Sequence, residues 1–332
     1  MLLPPPPLDP ASRAALAAGL DEPPSPRTVQ LAAFLSRACG PAALALIHYG
    51  SHAQHSGAQP ESAHDFFIIV ERYAEVYRAL ASAVRTGYRP RTAALLNHVL
   101  PPNVIAVTVP GATPRLFAKC AVLSLADLRR ACSARSRDHF VLGRLFQHVQ
   151  LVWSRDPGSR QSVTDALVAA RALTLSWGRP YLPSGFDVDT YCRTLLVTSY
   201  AGEIRPEGSE RIDALLAAQR ETMDRVYRGL LDGLVATRIL GRDGKIYTDP
   251  DPPGQWAKFR VRMYFRRSKL RATLRWLKYV ALYDDWLDYI VQKVARRSGV
   301  TVVLTERERR WPLIFLWPKV IRFLRTRPQR ND

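Results

Sequence analysis

The stretch His48-Tyr49-Gly50-Ser51, followed by His64-Asp65-Phe66-Phe67-Ile68-Ile69-Val70, decides how this chain reads. Residues 42–49 are mostly apolar, and so short a run ended by a turn signal predicts a buried strand. Gly50-Ser51 breaks it. A polar loop follows, and residues 66–70 predict a second buried strand with Asp65 at its start. The order is strand, Gly-Ser turn, then strand bearing an acid.

Outward from this core, helical spacing over residues 28–39 leads into the first strand. Residues 73–85 and 91–100 predict helices, the second closed by Pro101-Pro102. Residues 104–109 are β-branched, and residues 116–122 alternate in polarity, so the two predict a hairpin beside the first pair. Ser124 is placed to cap a helix over 124–132, with Asp127 in its first turn. A helix over 139–146 and a short strand over 149–153 complete this half. Beyond residue 157 helical periodicity takes over, at 162–177, 187–201 and 209–234. Residues 239–247, with Gly241 and Asp243-Gly244 inside, suggest a hairpin wing.

Composition narrows the class. The chain has 332 residues and is 47% hydrophobic, which suits two domains with packed cores and excludes global disorder. Cys39, Cys120, Cys132 and Cys192 lie far apart with no Cys-x-x-Cys pair, which fits neither a zinc knuckle nor a disulfide framework and points to a reducing compartment. No apolar run approaches the roughly 18–20 residues that a membrane span needs, and the proline-rich start lacks a secretory pattern. The net charge of +19 calls for an anionic partner: nucleic acid, an acidic membrane or a phosphorylated substrate.

The strand, Gly-Ser, strand, Asp order resembles the nucleotidyltransferase superfamily that includes DNA polymerase β. That resemblance implies that Gly50 lets the backbone approach a triphosphate and that Ser51 offers its N–H and hydroxyl to phosphate oxygens. It implies that Asp65 holds the magnesium bridging those phosphates. An ordinary turn with a capping Asp suits the same residues equally.

Further motifs occur downstream in order: Lys119-Cys120-Ala121-Val122-Leu123-Ser124-Leu125-Ala126-Asp127-Leu128, Gly143-Arg144-Leu145, and Ser199-Tyr200-Ala201-Gly202-Glu203-Ile204-Arg205. With Tyr49-Gly50-Ser51 and Asp65 they resemble the phosphatidate cytidylyltransferase family of mitochondria and some bacteria, across roughly residues 45–205. The chain departs from that pattern at Cys120-Ala121, where the family has Tyr-Gly, and at Glu203, where it has Asp. Its loop between Ser51 and Asp65 is also shorter.

The resemblance implies an α+β fold, with a polymerase-β-like mixed sheet and flanking helices over 26–157. A helical, winged-helix-like domain over 158–254 would follow; proline content adds a flexible arm at 1–25, and charge and periodicity add a basic amphipathic region over 255–332. It implies the conversion of CTP and phosphatidic acid to CDP-diacylglycerol and pyrophosphate with Mg2+, by a peripheral membrane enzyme. Lacking an organelle presequence, the chain is expected on the cytoplasmic face of a bacterial inner membrane.

The resemblance also assigns roles. Asp65 and Lys119 are the expected catalytic residues. Tyr49, Gly50, Ser51, Lys119, Arg144, Glu203 and Arg205 are expected at the nucleotide, and Asp65 and Glu203 at the metal. Lys119 also suits an edge-strand charge that discourages aggregation, and Glu203 a surface ion pair. Phe67 stands where many polymerase-like enzymes carry a second acid. A phosphate nucleophile with a second pKa near 6 is already largely ionised, so no strong base is required. His48, His52, His55 and His64 cluster in sequence. A hard cation with oxygen ligands suits the inferred chemistry better than a transition metal does.

Residues 256–279 interleave Lys and Arg with aromatics, a pattern open to nucleic acid or to an acidic lipid surface. Residues 313–324 form an amphipathic pattern with a basic polar face, the form of an in-plane anchor. That favours anionic membrane and disfavours nucleic acid as a partner. The rival readings are a nucleotidyltransferase acting on RNA or a soluble hydroxyl, which Phe67 argues against, and a degenerate, non-catalytic basic binding module.

Overall fold

The chain is seen in a computed structural model that describes residues 2–57, 62–84, 88–112, 115–202, 208–282 and 304–310. Asp9 caps the first helix, α1 (Pro10–Ala17), by accepting from the Ser12 N–H at 2.9 Å. Ser25 caps α2 (Pro26–Cys39) in the same manner. The loose arm expected over residues 1–25 is corrected: Leu16 and Leu20 are buried in the core, and Ser12 donates to the Gly229 carbonyl. Buried Arg171 donates to the carbonyls of Leu16 and Ala18. Helix-end carbonyls lack intrahelical partners, and this guanidinium satisfies them from far along the chain.

β1 (Ala43–Tyr49) and β2 (His64–Val70) pair antiparallel, with Tyr49 opposite Asp65. α3 (Tyr73–Ala83) and α4 (Pro90–Val99) lead into the hairpin of β3 (Asn103–Thr108) and β4 (Phe117–Ser124). β4 runs parallel to β2 and sets Lys119 beside Asp65. α5 (Leu125–Ala131), capped by Ser124, and α6 (Leu142–Leu145) precede β5 (Gln150–Ser154), which pairs with β1. The result is a mixed five-stranded sheet, order β3-β4-β2-β1-β5, with flanking helices: an α+β architecture. β1 and β2 read as continuous apolar runs because both faces are covered. β3, at the sheet edge, alternates buried and less buried positions.

α7 (Pro157–Ala172) and α8 (Thr174–Gly178) split the helix expected over 162–177. β6 (Gly185–Phe186) follows, then α9 (Val188–Ala201), capped by Asp187. The single helix expected over 209–234 is two, α10 (Ser209–Ala218) and α11 (Arg220–Ala236). Gln219 breaks it: its buried amide accepts from the His148 N–H at 3.0 Å. β7 (Gly241–Asp243) and β8 (Ile246–Thr248) form the expected hairpin, and β6 joins them in a second sheet, order β6-β8-β7. α12 (Gln255–Leu282) closes this series.

The chain divides into two compact units, Met1–Trp276 and Leu277–Asp332. A single core in the first takes in Leu2, Ile47, Phe67, Leu195, Leu231 and Phe265, so the boundary expected at residue 157 does not divide it. In the second unit the described residues are the end of α12 and residues 304–310. These include a short helix, Glu306–Arg310, opened by reciprocal bonds between Thr305 and Glu308. The amphipathic helix expected over 313–324 lies outside the described residues. Among the described residues no helix is long and apolar enough to cross a membrane.

Candidate functional site

Gly50 ends β1 with φ +80°, in the left-handed region that glycine alone enters freely. A Cβ there would sit 2.7 Å from Oδ2 of Asp65. The carboxylate therefore lies flush against bare backbone at the turn. Ser51 begins a tight coil in which the Gln54 N–H donates to the Gly50 carbonyl at 3.0 Å and the Ser56 N–H to the Ser51 carbonyl at 3.1 Å.

Register completes the row. Tyr49, Asp65, Lys119 and Ala106 are successive neighbours across β1, β2, β4 and β3. Residues in register share a face of the sheet. Lys119 is exposed while Ala118 and Cys120 on either side are buried. Burial pushes the Asp65 carboxyl up from its ordinary pKa; Lys119 and then Arg144 pull it back without cancelling the rise. Asp65 thus lies in partly dry surroundings with two basic side chains acting on it.

Arg144 reaches this neighbourhood from α6. Its Nη1 donates to the Phe140 carbonyl at 2.8 Å, and its guanidinium carbon lies 4.0 Å from the Phe140 ring centre. The Phe140 ring in turn meets Phe67 edge-on at 6.4 Å, and Phe67 packs on Tyr49 at 4.5 Å. Phe67 follows Asp65 on the same face of β2, so the position two residues beyond the acid is fully buried apolar core. Tyr49, expected at the nucleotide, has its ring in this packing and is 6% exposed. Residue 49 reaches the turn with its backbone.

The Gly143-Arg144-Leu145 and Ser199–Gly202 motifs meet in space. A Cβ on Gly143 would lie 3.1 Å from Ser199 Oγ, and Ser199 Oγ pairs with His139 Nε2 at 2.9 Å. A Cβ on Gly202 would run into the Phe265 ring of α12. Glu203 and Arg205, which follow directly, lie outside the described residues.

Sequence reasoning missed one group beside the site. Asp138 accepts from Arg271 Nε and Arg275 Nη2, both at 2.9 Å. Burial pushes the Asp138 carboxyl up, and the two arginines more than offset it, leaving it below the usual range. Arg275 also lies 4.8 Å from the Phe140 ring centre, the ring that carries Arg144. The one sequence signal was the i, i+4 spacing of Arg271 and Arg275 on a helix.

The histidines stack instead of converging. His52 lies on His64 at 3.9 Å between ring centres, and His64 on His48 at 5.4 Å. His48 Nδ1 pairs with Gln150 Oε1 at 2.9 Å. Burial lowers His48 to about 4 and His64 to about 3, so both rings are neutral near pH 7. Among the described residues no three His, Cys, Asp or Glu side chains form a metal cage. Magnesium needs none, because one or two carboxylates and substrate phosphates suffice. A hard carboxylate beside a Gly50 turn with no room for a side chain fits that ion.

Among the described residues, cavities of about 300 Å³ lie at two further places, the second beside the coil that follows Gly50. One is lined by Leu2, Pro5, Leu231 and Val261, the other by Glu22, Gln54, His148 and Arg225. No protein-family model matches the chain, and no curated protein matches it.

Proposed function

We propose that the protein is a peripheral membrane cytidylyltransferase, which joins CTP and phosphatidic acid into CDP-diacylglycerol with release of pyrophosphate. One observation carries this reading: the Asp65 carboxylate lies against the bare backbone of Gly50, with Lys119 next to it in register and Arg144 within electrostatic reach. Two of the ordered motifs support it: Lys119 lies beside Asp65 in register, and Gly143 lies close to Ser199 Oγ.

A phosphate oxygen of phosphatidic acid would attack the α-phosphorus of CTP. The bond from that phosphorus to the bridging oxygen would break, and pyrophosphate would leave. The attacking oxygen is already ionised near pH 7, given a second phosphate pKa near 6. No second carboxylate is needed to take a proton, which accords with Phe67 being core. Lys119 and Arg144 would offset the charge of the triphosphate and leaving group. Gly50 and Ser51 would let backbone N–H groups approach phosphate oxygens. Asp65 would hold Mg2+, which when bound supplies charge neutralisation and in-line alignment.

The test is transfer of label from CTP by the purified full chain with Mg2+, offered either phosphatidic acid vesicles or RNA. Labelled CDP-diacylglycerol is the expected product. Label passing to RNA, or to neither acceptor from folded protein, would overturn the reading.

A further inference from the structure

α12 carries no Asp or Glu and is apolar on two sides. Val261, Tyr264, Phe265 and Ser268 are buried on one side. On the other, Trp256, Phe259, Met263, Leu270 and Leu274 stand exposed, Trp256 at 77% and Leu270 at 60%. At about 100° per residue these five fall within an arc of about 60°, roughly opposite the buried side. Lys258, Arg262, Arg266 and Lys269 run along one flank of that line, and Arg260 and Arg267 along the other.

A helix held to a core by one face needs only polar residues on the opposite face. The second apolar line does nothing for that packing, and exposed apolar lines rimmed by charge mark contact surfaces. We propose that this face of α12 docks in the plane of an anionic lipid surface. Its apolar line sinks among headgroups and upper acyl chains, and its flanking Lys and Arg meet the anionic headgroups. Nucleic acid would attract the same charge, but Met263, Leu270 and Leu274 have no ring to stack on a base and occupy the line where phosphate-tracking cations would sit. Trp256, at the helix start, has the amphipathic ring that favours a membrane interface. The inference rests on the lipid-substrate reading above for its purpose, yet docking is scored without nucleotide.

The experiment uses the full chain with vesicles of phosphatidylglycerol and phosphatidylcholine, and with phosphatidylcholine alone. The variant carrying W256S, F259S, L270S and L274S changes only exposed side chains. It is expected to lose at least about tenfold in affinity for the anionic vesicles and to keep the thermal shift that CTP and Mg2+ produce. A second measurement labels M263C with an environment-sensitive dye; the four native cysteines are buried, so the label goes there. Its emission is expected to shift to the blue with anionic vesicles and to stay unchanged with a single-stranded RNA. Undiminished vesicle binding by the serine variant, or a dye that answers to RNA and not to vesicles, overturns the proposal. So does a wild-type dimer that the serine variant turns into monomer. A missing CTP shift with vesicle docking intact would sink the transferase reading and leave this one standing.

Discussion

Gly50 and Asp65 are in direct apposition: a methyl group on residue 50 would come within 2.7 Å of the Asp65 carboxylate oxygen. The turn and the acid lie on adjacent antiparallel strands, and the register sets Tyr49 opposite Asp65. A side chain at residue 50 would displace the Asp65 carboxylate, and both residues can be tested separately.

Asp65→Asn keeps the shape and removes the charge. Turnover of CTP with phosphatidic acid is expected to fall by at least about a hundredfold, while the melting temperature holds or rises, because burial disfavours the native carboxylate. Steady-state rates and a thermal melt decide it. Activity within about tenfold of wild type would remove Asp65 from the mechanism.

Gly50→Ala acts through backbone and clash together. Left-handed φ costs an L-residue about 1–2 kcal/mol, and the new Cβ pushes on the Asp65 carboxylate. An unfolding free energy from urea titration lowered to that extent is expected, together with a turnover loss larger than the stability loss explains. Wild-type rates in a Gly50→Ala protein would mean that the close approach has no catalytic use.

Lys119→Ala should weaken nucleotide binding with little effect on fold, since the side chain is exposed. The thermal shift produced by CTP and Mg2+ measures this through mass action, and a tenfold weaker site lowers the stabilisation by about 1.4 kcal/mol at saturating ligand. An unchanged shift would leave Lys119 a solvent-facing charge on an internal strand with no part in holding the nucleotide.

Asp138 holds two arginines in a nearly dry setting. Asp138→Ala leaves Arg275 buried without its partner, and removing one member of such a pair costs about 3–5 kcal/mol. Chemical denaturation is expected to show a loss of that size. The double variant Asp138→Leu with Arg275→Met should recover most of it. A single variant as stable as wild type would mean that water reaches the cluster.

Stability should fall on mild acidification. His48 and His64 titrate at about 4 and about 3 in the folded chain, against about 6.5 unfolded. Between those values the unfolded chain binds protons that the folded chain refuses, so stability is complete above about pH 6.5 and declines as pH drops toward 4. Replacing both with Gln is expected to flatten that decline in urea midpoints taken across the range. Equal slopes for wild type and variant would assign acid sensitivity to other groups.

The amino-acid sequence alone determined what short-range rules determine here. Apolar runs set β1 and β2, alternation set the β3–β4 hairpin, and Ser124 and Asp187 marked helix starts through their side-chain bonds to nearby N–H groups. The lone acid, the Gly-Ser turn and Lys119 were legible for the same reason, because turn chemistry and strand period are local. Tertiary structure alone decided which faces were covered. It set the Tyr49 ring against Phe67, since a continuous apolar run marks a buried strand without saying which side chains pack on its last residue. It folded α1 onto α11 and Arg171, and it broke the helix at Gln219 to satisfy His148. It also set Arg275 against Asp138 across 137 residues. Such pairings depend on burial and on satisfying buried polar groups, and a buried charge takes its partner from whatever the packing brings within reach.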